Sequence, residues 1–235
     1  MEQSYKRRIR VRRETNRIAV DLEDNFHRFG VQLTVVGHVV ATVGGSARRV
    51  PWSTCPAAVA ALRDLEGHDV RIPFQIDKAA KAARHCTHLF DIARLALDHL
   101  RLDLPSRDYL ITVEGPVERE SARLAVDGRP ARTWELSNGR FSSPPEWRGR
   151  EIARMPAPAA ADEDPRAFLE HMLIRRAVHI ARGRFIDQDR WDSAADVGAA
   201  ATCISFQPQV RASARRVKGS ARDFTGREER LLADP

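Results

Sequence analysis

The chain has 235 residues, 43% hydrophobic and 30% charged, enough apolar content for a sizeable core and the wrong balance for a fibrous or disordered polymer. No apolar run approaches bilayer length, and the basic residues near Met1 have no apolar segment behind them. No membrane span or secretory signal is therefore expected, and the protein is read as cytoplasmic. The net charge of +7 comes largely from residues 6–13 and 211–222. Only 6% of residues are aromatic, and no basic run carries the interleaved rings of a stacking surface, so nucleic acid is not expected as a partner.

Residues 6–13 alternate imperfectly, with Ile9 and Val11 inward and arginines outward, and predict a first strand. Residues 17–23 predict a second. Phe29 to Val36 and Val39 to Val43 predict a hairpin around Gly37-His38 that closes at Gly44-Gly45. Pro51 and Pro56 bracket a turn into a helix over Ala57 to Leu65, stopped by Gly67. Asp77 can cap a helix running towards His85. Leu89, Ile92, Ala93, Ala96, Leu97 and Leu100 then give a further helix a broad apolar face.

After a connector containing Pro105, Tyr109 to Glu114, Ser121 to Val126 and Ala131 to Leu136 predict three strands, with Asp127-Gly128 as a hairpin turn. Residues 155–160, Met-Pro-Ala-Pro-Ala-Ala, read as a Pro/Ala linker. Asp164-Pro165 is a cap and first-turn proline for a helix reaching Gly183. The expected fold is α+β: an antiparallel sheet with helices on one face, a second strand-rich segment, and a long helix in the C-terminal half. Residues 1–104 would form the site-bearing domain, and residues 105–235 the strand-rich and helical remainder.

Chemistry concentrates in Arg84-His85-Cys86-Thr87-His88-Leu89, which places two imidazoles and a thiol in four consecutive residues. Either residue type alone is commonly a core or surface group. Together with Cys55 and His27 they predict a Cys/His centre. The expected metal ligands are His27, Cys55, Cys86 and His88, a donor set suited to zinc or iron. Asp24 lies three residues before His27, and Asp24 and His85 are the candidate catalytic groups. If the chain bends at Cys86, a helix start there would lower the thiol's pKa, which also suits Cys86 to a nucleophilic role. Three cysteines are too few, and odd in number, for a disulfide framework. The P-loop, the dinucleotide glycine fingerprint and the Gly-x-Ser-x-Gly elbow are absent from the sequence.

His27 on a strand, Cys55-Pro56 after a hairpin, and Cys86-Thr87-His88-Leu89 resemble the bacterial domain-of-unknown-function family 2889. That family also has an arginine-rich first strand, here Arg7 to Arg13, and a late cysteine, best matched by Cys203. The resemblance is strongest over residues 5–100 and brings no established activity. A weaker likeness, over residues 30–100, is to the iron–sulfur scaffold and sulfur-acceptor fold. It implies Cys55 and Cys86 as ligands of zinc or an iron–sulfur cluster, with His85 beside them and His27 in place of a missing cysteine. The expected function is a metal-dependent enzyme acting on a small organic substrate. The alternatives are an iron–sulfur or persulfide scaffold, and then a basic nucleic-acid-binding module.

Overall fold

Strand β1 (Tyr5–Arg13) opens the chain and is followed by β2 (Arg17–Asp24), β3 (Arg28–Val36) and β4 (Val39–Arg49). The computed structural model describes residues 4–74, 84–152, 164–198 and 203–233. After β4 come helix α1 (Thr87–Arg101), strands β5 (Arg107–Glu114), β6 (Glu120–Val126), β7 (Arg129–Ser137) and β8 (Arg140–Ser143), and helix α2 (Pro165–Ala181). The strands form an antiparallel sheet in the order β4-β3-β2-β1-β5-β6-β7-β8, so the fold is α+β, as the pattern predicts. Two compact units divide the chain: one holds Arg10–Ser106 and Asp187–Arg222, the other Met1–Ile9, Arg107–Ile186 and Asp223–Pro235. Among the described residues, no helix is long and apolar enough to cross a membrane.

In the unit beginning at Arg10, β2, β3 and β4 pair as an antiparallel meander, with Val20 opposite Val31 and Leu33 opposite Val43. Ile18, Val20 and Leu22 alternate inward, as a half-buried strand requires. Helix α1 packs on β2 and β3 and buries Leu89, Ile92, Ala93 and Ala96. Burial of a side chain such as Ile92 is worth about 1.5–3 kcal/mol, which fixes the start of α1 against the strands.

Strand β4 does not close at Gly44-Gly45 but continues to Arg49. A Cβ on Gly45 would lie 2.6 Å from Leu62 Cδ1 and 3.3 Å from the Gly30 carbonyl, so this glycine marks close approach rather than a strand end. The segment Cys55–Leu65 is a 3₁₀ helix rather than the expected α-helix from Ala57. Of its buried residues, Cys55, Ala58 and Ala61 recur every third position, the repeat that a 3₁₀ helix aligns on one side, and Leu62 and Leu65 are buried beside them. The helix expected from Asp77 falls largely outside the described residues, and the 155–160 linker does so entirely.

In the other unit, β5 to β8 pair in sequence order. Asp127 and Gly128 turn with φ of 51° and 76°, the type I′ geometry matched to strand twist. Asn138 and Gly139 repeat it with 50° and 76° and create β8, which the strand pattern missed. Helix α2 packs on β5 and β6. Asp164 caps it by accepting from the Arg166 N–H at 3.1 Å, with Pro165 in the first turn.

Candidate functional site

The four residues from Asp24, the last of β2, to His27, just before β3, form a tight corner. The Asp24 N–H donates to the His27 carbonyl at 2.9 Å. Asp24 Oδ1 accepts from the Phe26 and His27 N–H groups at 2.8 and 2.9 Å and lies 2.9 Å from His27 Nδ1. Asp24 is fully buried, and a buried carboxylate is tolerated because it is hydrogen-bonded in this way. The carboxylate can only accept, so His27 Nδ1 donates, and Nε2 becomes the ring's electron-pair donor.

Helix α1 brings the second imidazole. The chain bends at Cys86, whose extended backbone (φ −85°, ψ 127°) makes it the residue capping the helix, with His88 in the first turn. The His88 ring stacks on that of His27, with centroids 3.8 Å apart and planes inclined by 28°. Phe29 flanks both rings at 5.7 and 6.0 Å. One donor atom from each of Asp24, His27 and His88 lies within 4.8 Å of the others, and all three residues are buried. Imidazoles suit zinc or non-haem iron, and a carboxylate behind one of them is the usual outer partner of such a ligand.

The expected ligands are thus brought together unevenly. His27 and His88 meet; Cys86 Sγ lies 3.8 Å from His88 Nδ1. Cys55 Sγ instead faces Ser205 Oγ at 3.6 Å, and that hydroxyl also accepts from Thr54 Oγ1 at 2.9 Å. His85 lies 3.1 Å from Asp64 through Nε2, and its carbonyl accepts from the Ile204 N–H at 3.1 Å. Cys203, at the start of that segment, is half-buried. A lowered thiol pKa at the helix start is not found: burial drives Cys86 well above the ordinary thiol range, and Cys55 beside it raises it further. Burial likewise pushes Cys55 up to about 11. Desolvation of a thiolate here outweighs the stabilisation from the start of α1.

Asp24 carries more of the site than the sequence reading assigned to it. The signal for that was present: an Asp three residues before a His in a short turn is able to fold back on the intervening N–H groups. Ser205 had no local signal, because its role depends on a partner 150 positions away. Residues 6–100 match a family described as Protein of unknown function (DUF2889). The matched stretch contains Asp24, His27, Cys55, Cys86 and His88, while Cys203 lies beyond it. No curated protein matches the chain.

Proposed function

Taking the chain as a member of the DUF2889 family over residues 6–100, we propose that it is a cytoplasmic metal-dependent enzyme acting on a small organic substrate. The observation that carries the reading is the convergence of Asp24, His27 and His88 in a buried cluster. His27 and His88 would hold the ion. Asp24 orients His27 through Nδ1 and leaves Nε2 for the ion, the usual role of a carboxylate behind a metal-bound histidine. Cys86 stands next to His88 as a softer donor. Zinc or iron(II) bound there would supply Lewis acidity for an oxygen-containing substrate.

The scaffold alternative, an iron–sulfur or persulfide carrier, needs thiols that a partner can reach. Cys55 and Cys86 are each 5% exposed, which favours a fixed centre over a transfer site. The basic module is the weakest of the three. Arg8 pairs with Asp108, Arg12 with Asp21 and Arg13 with Asp103, so arginines of β1 are engaged within the protein.

Elemental analysis of anaerobically purified protein tests the reading. About one zinc or iron per chain is expected, with loss in His27→Ala and His88→Ala. Metal content unchanged in both variants would refute it.

A further inference from the structure

The corner that presents His27 is held from behind by one side chain. Arg49 ends β4, and its side chain is 13% exposed. Its Nη1 donates to the Asn25 carbonyl at 3.0 Å and to the Ser220 carbonyl at 2.9 Å. Its Nη2 donates to the Asp24 carbonyl, to the His27 carbonyl at 3.2 Å and to Glu23 Oε1 at 3.2 Å. One guanidinium therefore meets carbonyls from three of the four corner residues. The β3–β4 register shifts between Arg28 and Phe29, beside the Arg28–Arg49 pair. An irregularity of that kind re-aims side chains at a strand end.

A turn that points several carbonyls one way concentrates negative charge, and it needs donors in a matching plane. Arginine offers five N–H donors in a rigid fork, whereas lysine offers one rotatable ammonium. Glu23 supplies the counter-charge and also faces Arg28 at 3.9 Å. The Arg222 N–H donates to the same Asn25 carbonyl at 2.7 Å, so the segment reaching Arg222 is fastened at the corner too.

We propose that Arg49 is the positioning residue of the metal centre, fixing the Asp24–His27 corner against His88 and joining that corner to the segment around Ser220. This rests on the reading of Asp24, His27 and His88 as a metal centre. Asp24 is held at both ends, its carboxylate on His27 and its carbonyl on Arg49. A rotation of the corner would therefore displace the imidazole and its orienting carboxylate together.

Cobalt(II) is the probe, because its visible bands report ligand geometry while titration gives affinity. Wild type, Arg49→Lys and Glu23→Gln are compared, each with its melting temperature. Wild type should bind about one cobalt. Arg49→Lys should bind it about 10–100-fold more weakly, the range for losing a group that orients a ligand, with shifted bands. Glu23→Gln, which keeps the carbonyl contacts, should weaken binding less. If Arg49→Lys does not fold, the affinity of Glu23→Gln decides alone. Wild-type cobalt affinity and bands in the folded variants, with only the melting temperature lowered, would reduce Arg49 to a structural role. Failure of wild type to bind cobalt would remove the centre itself, and both proposals with it.

Discussion

Cys86 and Cys55 sit in the same unit, yet their surroundings predict opposite behaviour on substitution. Cys86 adjoins His88, so Cys86→Ser should reduce metal content while leaving the melting temperature nearly unchanged, since α1 is anchored by Leu89 and Ile92. Cys55 meets Ser205 instead. Cys55→Ala should keep the metal and lose stability on the order of 1 kcal/mol, the scale of a small core truncation. Metal analysis and thermal melts on the pair separate these outcomes, and loss of metal in Cys55→Ala would move Cys55 into the centre. Burial also holds both thiols protonated near neutrality. Iodoacetamide at pH 8 should therefore label neither in the folded protein and both after denaturation, as mass spectrometry would show.

Helix α2 carries a pH signature of its own. Burial, reinforced by Arg175, Arg176 and Arg182, lowers the pKa of His179 from 6.5 to about 4. A depressed histidine pKa means that the unfolded chain binds the proton more readily. Its contribution to stability is thus present above pH 6.5 and is lost as pH falls towards 4. His179→Gln should flatten the acid limb of the stability–pH curve over that window in urea titrations; an unchanged limb would exclude His179 as its source. Helix α1 answers to packing: Ile92→Ala should cost about 2–5 kcal/mol, read from the same titrations. Most strands and both α-helices were legible in the sequence, because alternation, caps and hairpin glycines are local signals. The candidate site was legible in part. His27 and His88 stand in recognisable contexts, but the contact of Cys55 with Ser205 was not legible, because sequence spacing cannot show which way a residue on a 3₁₀ helix faces. The passage of β4 through Gly45 escaped for a related reason, since the contact with Leu62 is tertiary.

The unit that holds Asp24, His27 and His88 is assembled from two distant stretches, Arg10–Ser106 and Asp187–Arg222. Trp52 and Cys55 share a small core with Ala194 and Ala214. Arg216 donates to the Pro51 carbonyl at 3.0 Å and pairs with Asp189 at 2.9 Å. A chain ended at Ile186 should therefore lack a cooperative melt for this unit, measured by circular dichroism, even though the family match stops at residue 100. The ion pairs of Arg216 and of Lys218 with Asp192 likewise engage basic groups of the tail. Binding to a short DNA duplex should be weak and should vanish at physiological salt by fluorescence anisotropy. Divided assembly also sets a clock on synthesis. Once Ser106 leaves the ribosome, Arg222 follows only after a further 116 residues (222 − 106), on the order of ten seconds at typical elongation rates. Through that interval the nascent chain carries the Asp24–His27 corner without the segment that fastens Asn25, so the corner is completed only late in synthesis.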